Sequence, residues 1–256
     1  MQRPRIRALP VAGAVLVLLV GGGIALLDRD AEPAAVVAAA TTAPPETTTT
    51  STEPDVPGFL VADAAGTAVD LYREPGVVYE ERPWLDNPTH EGLAVVFQVL
   101  EEQPEYLKVR VSSRPNGLVA WVKRNQVTLR EVPNRVLVEV GARRVTVFNG
   151  DQVVFQETAA VGTDRTPTPL GQFFVDGVVK LAYDKGPYGT YQLSVSGFSD
   201  VLQSFGGGNG QIALHGTNRP ELLGQPVSNG CVRLSNDAIN RLAWLAPTGT
   251  PVEIVA

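Results

Sequence analysis

Beyond residue 58 the apolar residues of this chain recur at every second position, in short runs cut by Gly, Pro and Asn-Gly. A period of two puts successive side chains on opposite faces of a strand, so a chain written this way builds sheets. Ala68–Tyr72, Tyr106–Val111, Leu118–Val122, Arg135–Val140 and Arg143–Phe148 follow this pattern. Gly92–Leu100 is apolar enough for a buried strand, Gln152–Phe155 and Gln172–Val175 add two more, and Thr250–Val255 reads as a closing strand. Arg114-Pro115-Asn116-Gly117 and Asn149-Gly150 carry the Asn-Gly step that favours tight hairpins. Only Ser235–Leu245 has a helical period, with a Ser/Asn cap before a stripe at Ile239, Leu242 and Leu245. The expected fold class is mainly β, mostly antiparallel, with one main helix.

The N-terminus reads differently. Arg3, Arg5 and Arg7 precede an uncharged, mostly apolar run from Ala8 to Leu27. Roughly 20 such residues span a bilayer as a helix. Arginine before the run and Asp28, Asp30 and Glu32 after it orient the N-terminus inward and the remainder outward. A cleavable signal peptide is the rival reading, but its apolar core is usually about 7–15 residues. Residues 1–30 are therefore expected to anchor the chain in the cell membrane as a single transmembrane helix. Residues 31–57 are almost all Ala, Thr, Pro, Glu and Val. They hold too little apolar bulk to offset their ordering entropy, so a disordered Thr/Pro linker is expected, with a reach of about 80 Å if fully extended.

Composition excludes several functions. The net charge is −6, with no basic stripe to neutralise phosphates, so nucleic acid is not an expected partner. Two histidines, His90 and His215, and one cysteine cannot build a His/Cys metal site. No Gly-rich dinucleotide fingerprint follows a strand, and no Gly-Lys-Ser/Thr loop is present. No metal and no organic cofactor is expected. His90 lies in a polar loop, where a lone histidine is ordinarily solvated surface.

Cys231 is the only cysteine of a chain whose N-terminus signals export. Exported proteins normally pair their cysteines, so an unpaired one is a candidate reactive thiol. A histidine within hydrogen-bond reach is the usual activator of such a thiol, and His215, at the end of an apolar strand, is the only plausible one. The sixteen residues from His215 to Cys231 allow strand, loop and return. The backbone N–H groups of Asn229, Gly230 and Cys231 are candidate donors for an oxyanion hole.

His215-Gly216-Thr217 followed by Ser228-Asn229-Gly230-Cys231-Val232-Arg233 resembles the signature of L,D-transpeptidases with a YkuD-type catalytic domain. The resemblance extends through Val161-Gly162-Thr163, Thr166–Gly171, Gly186-Pro187-Tyr188-Gly189, Gly206–Gly208 and Gly249–Val252. It implies a β-rich catalytic domain over residues 133–256. Residues 58–132 resemble bacterial SH3-like domains, small β-barrels, through Leu107–Arg110 and Gly117–Val122. The resemblance implies Cys231 as nucleophile and His215 as general base, with the Gly216 carbonyl orienting its ring. Arg233 then shapes the donor site, Tyr188 falls in a lid segment, and Ser228, Asn229 and Gly230 line the substrate site. Family members usually carry histidine where this chain has Asn229. The implied activity is a cysteine acyltransferase that forms 3→3 cross-links between peptidoglycan stem peptides, outside the membrane at the cell wall, and is acylated by carbapenems.

Plainer readings stand beside this one. Arg233 could pair with a surface carboxylate, Tyr188 could cover a core edge, Gly206–Gly208 could be a simple turn, and Thr217 could satisfy local backbone groups. Water as acceptor would make the enzyme an L,D-carboxypeptidase. A non-catalytic wall-binding module is the alternative of another class. A papain-like enzyme would place cysteine before histidine, the reverse of the order here.

Overall fold

The computed structural model describes residues 58–183 and 185–256. The expected membrane helix and linker, residues 1–57, lie outside the described residues. Among those described, no helix is long and apolar enough to cross a membrane.

Two large sheets take up most of the described chain, with two two-stranded ladders beside them. The first holds seven strands in the order Val77–Val78, Tyr72–Glu74, Val119–Lys123, Tyr106–Arg110, Val96–Glu102, Phe59–Ala64 and Val127–Val132. Its Phe97, Leu107, Val109 and Val122 are buried in one core with Val69 and Leu71 beside the sheet. No ladder joins the two edge strands among the described residues, so hydrogen bonding leaves this sheet open. The expected Ala68–Tyr72 strand is two strands. Leu71 sends its N–H to the Pro83 carbonyl and accepts from the Tyr79 N–H, both at 2.9 Å, so the chain changes partners there. Ala68–Asp70 then pairs with Trp84–Asp86 and Tyr72–Glu74 with Val77–Val78. The expected Gly92–Leu100 strand begins only at Val96. Gly92 turns the chain at φ +79°, and loop oxygens of Thr89 and Asn87 take the Leu93 and Val95 amides.

The second sheet begins after Pro133. Its eight strands run Gln152–Thr158, Arg144–Asn149, Asn134–Glu139, Pro251–Val255, Gly171–Lys180, Tyr191–Phe198, Gln211–His215 and Val232–Arg233. The helix Asn236–Leu245 packs Ala238, Ile239 and Leu242 into the core of this sheet. Ser235 caps it, its Oγ accepting the Ala238 N–H at 3.1 Å, one of the amides a helix start leaves unpaired. The Asn149-Gly150 hairpin forms as expected, pairing Asn149 with Gln152. Pairing is mostly antiparallel, but Asn134–Glu139 with Pro251–Val255, Val161–Gly162 with Pro226–Ser228, and Gln211–His215 with Val232–Arg233 are parallel. The third of these builds the site described next.

The sheets touch directly. Arg130 binds Asp63 at 2.6 Å and donates to the Thr248 carbonyl at 2.9 Å. Gly249, at φ +88°, lies so close to Val61 that a Cβ would sit 2.4 Å from its Cγ1.

Candidate active site

Parallel strands need a long crossover between them. Here the segment after His215 returns along the sheet and registers Leu214 against Val232 and His215 against Arg233. Alternation then puts His215 and Arg233 on one face, and Cys231, two residues before Arg233, belongs to it. His215, Cys231, Arg233, Asn229 and Tyr188 all line one cavity of about 180 Å³. Cys231 and Tyr188 also line a second, more open cavity of about 410 Å³, which Glu91, Leu93 and Ser194 help to form. Tyr188, Phe205, Gly210, Gln211 and Cys231 line both, so the two share the wall that carries the cysteine.

The loop before Cys231 is held by its own chain. Ser228 Oγ accepts the Gly230 N–H at 3.1 Å and donates to the Cys231 carbonyl at 2.5 Å. Gly230 sits at φ +112°, a region that L side chains avoid. Its amide is therefore engaged inside the loop, which corrects its expected place among the oxyanion donors. Of the three candidate amides, those of Asn229 and Cys231 remain. The segment 161–168 buttresses the loop from outside. Thr163 N–H and Thr166 Oγ1 both donate to the Ser228 carbonyl at 3.1 Å, and Gly162 N–H donates to Thr168 Oγ1 at 2.9 Å. Asn229 Oδ1 accepts from Thr166 Oγ1 at 3.5 Å.

His215 is 3% exposed. Its Nδ1 lies 2.6 Å from the Gly216 carbonyl oxygen. A carbonyl only accepts, so Nδ1 carries the proton and Nε2 keeps its lone pair. Gly216 is required there, because a Cβ would lie 2.3 Å from Asn236 Oδ1. That same oxygen accepts the Thr217 N–H at 3.2 Å, and Thr217 Oγ1 accepts the Arg219 N–H at 3.1 Å, so Thr217 satisfies local backbone. The Tyr188 ring leans on the imidazole, centroids 4.8 Å apart at 57°.

Burial pushes His215 down to about 4; the Gly216 bond resists this and the Arg233 charge adds to it. Burial raises the Cys231 thiol above its usual range, against the Ala213 backbone amide and Arg233, which favour the thiolate. At pH 7 the resting pair is thus neutral thiol and neutral imidazole. No hydrogen bond joins Sγ to the ring among the described residues. Arg233 takes part in none of the ion pairs among the described residues, and its buried Nε has no partner. The cavity thus holds an unused cation donor beside the thiol.

Sequence reasoning missed part of the wall. Ser199, Leu202, Phe205, Gly210 and Gln211 line the cavity with Cys231. The signal for this loop was Gly206–Gly208. Gly206 and Gly207 have positive φ, and Phe205 and Gly208 bond each other's backbone. His90 does not line this cavity; it is exposed, as expected, and lines another to which both sheets contribute.

A family model described as the L,D-transpeptidase catalytic domain, YkuD, matches residues 133–254. The L,D-transpeptidase homologue YkuD of Bacillus licheniformis is 31% identical over 183 residues, covering 70% of this chain and 98% of that one. Its Bacillus subtilis counterpart is 34% identical, over 48% of this chain and 66% of that one. A solved L,D-transpeptidase from Mycobacterium smegmatis is 16% identical with a TM-score of 0.39, over 62% of this chain and 99% of that one.

Proposed function

The chain belongs to the YkuD family of L,D-transpeptidases, and from that membership and its site we propose that it joins peptidoglycan stem peptides through a thioester on Cys231. The observation that carries this reading is the thiol on a wall shared by two cavities, beside a histidine with one free ring nitrogen. A transfer between two peptides needs room for both at the nucleophile.

In the first half-reaction the donor carbonyl joins the third residue of a stem, a diamino acid, to terminal D-alanine. The Cys231 proton moves to His215 Nε2 as sulfur bonds the carbonyl carbon. The Asn229 and Cys231 amides receive the oxyanion, and imidazolium protonates the departing D-alanine amine. In the second, an acceptor side-chain amine gives its proton to His215 and attacks the thioester. Thiolate leaves and recovers the proton, and a 3→3 cross-link remains. Water in place of the amine gives the carboxypeptidase outcome. Arg233 offers its unpartnered guanidinium to a substrate carboxylate or carbonyl. Tyr188 covers the imidazole and keeps bulk water from it. The arginine-flanked segment Ala8–Leu27 supports a membrane anchor that leaves this domain outside, at the wall.

A carbapenem presents a strained acyl carbon to the same sulfur. The full chain incubated with one should gain the mass of a single drug molecule; no gain would point to a wall-binding module. The rate should stay level from about pH 5 to pH 8 and fall about tenfold per unit below about 4, where His215 becomes cationic. Stopped-flow acylation across pH checks this. A fall centred near the ordinary imidazole value of 6.5 would contradict the burial argument.

A further inference from the structure

Three alternate residues of one turn in the first sheet reach across to the wall of the Cys231 cavity. Arg114 Nη1 donates to the Ser199 carbonyl at 2.9 Å, and its Nη2 donates to those of Leu202 at 3.0 Å and Asn209 at 3.2 Å. Its guanidinium lies 5.0 Å above the Phe198 ring. Asn116 donates to the Phe198 carbonyl at 2.7 Å and accepts its N–H at 2.8 Å, as a paired strand would. Ser112 donates to Asp176 Oδ2, which also accepts from Gln211 Nε2 at 2.6 Å.

These contacts meet a segment whose own bonds are few: the Ser199 N–H reaches the Gly210 carbonyl at 2.8 Å, and Ser199 Oγ accepts the Leu202 N–H at 3.0 Å. Residues 199–210 form no strand beyond the Phe205–Gly208 bridge, and glycines 206, 207 and 210 lie at positive φ. Between those ends the loop gains its order from further bonds, and Arg114 supplies three. Arg114 closes its start and its end on one rigid cation whose planar fork carries five donors. None of the ion pairs among the described residues occupies that cation. Gly210 fits only because it is glycine, since a Cβ would lie 2.9 Å from Arg114 Nη2 and 2.1 Å from the Leu202 carbonyl oxygen. Ser199, Leu202, Phe205 and Gly210 of the same loop then line the cavity with Cys231.

We propose that Arg114 is a positioning residue of the transfer reaction, and that residues 112–116 of the first sheet complete the substrate cavity of the second. The proposal rests on Cys231 being the nucleophile. Its test is the full chain carrying Arg114→Ala, with two reagents for the same thiol. Carbapenem acylation uses the cavity wall; iodoacetamide needs only the thiolate within reach. Acylation should slow about tenfold or more, through weaker saturation and a lower limiting rate together, as misplacement of bound reactants does. Alkylation by iodoacetamide should not slow. Arg114→Lys, which cannot span three carbonyls, should recover only part of the loss. Equal acylation of Arg114→Ala and the parent chain would overturn the proposal and leave the thioester reading intact. Failure of the parent chain to be acylated would overturn the reading itself. If Arg114→Ala does not fold, Asn116→Ala carries the same comparison, with about a threefold loss expected; equal rates there would likewise overturn the proposal.

Discussion

Cys231→Ala is expected to yield a folded protein that gains no mass from a carbapenem and releases no D-alanine from a tetrapeptide stem. Loss of the nucleophile removes the covalent path altogether, so turnover should drop about 10⁴-fold or more. The change costs little stability. The side chain is partly exposed, and the geometry around it is set by the Ser228 bonds to Gly230 and to the Cys231 carbonyl, which alanine keeps. Unfolding free energy should stay within about 1 kcal/mol of the parent. Mass spectrometry and a denaturant melt check both halves. An adduct of full mass on the alanine variant would place the nucleophile elsewhere.

His215→Gln is expected to slow acylation by about 10²- to 10⁴-fold. Glutamine offers an amide N–H that can still reach the Gly216 carbonyl, but no basic nitrogen at the thiol's side. The loss should fall on the limiting rate more than on saturation, because the cavity walls remain. It should also shrink as pH rises toward the thiol's own raised value, since thiolate formed by solvent needs no base. Single-turnover acylation between pH 6 and pH 10 reads both trends. A pH-independent ratio of the two rates would argue against His215 as base.

Much of the fold was legible because it is local. The Ser235 cap and the Asn149-Gly150 hairpin are each fixed by residues within a few positions of one another, and the Tyr106–Arg110 and Val119–Lys123 ladder by partners 9 to 17 apart. The His215–Cys231 juxtaposition was legible in its pieces. Its parallel pairing was not, because period-two patterning does not state which neighbour a strand takes. Gly92–Val95 was read as strand from its apolar character, yet loop oxygens of Thr89 and Asn87 claimed two of its amides. The 199–210 wall was the least legible part. Arg114, some 85 residues earlier in the chain, donates to its Ser199, Leu202 and Asn209 carbonyls, and a turn arginine gives no local sign of where its donors go. Gly230 shows a smaller limit of the same kind. Its motif suggested a free amide, and only the Ser228 hydroxyl's position revealed that it is bonded.

The most direct test is to mix the full chain with a purified tetrapeptide stem, quench within one turnover, and weigh the peptide that contains Cys231. A thioester reading predicts that this peptide gains the mass of the stem less one D-alanine, and that the gain vanishes when an acceptor amine is supplied. Release of D-alanine with no mass on the Cys231 peptide, or with the mass on another residue, would contradict it.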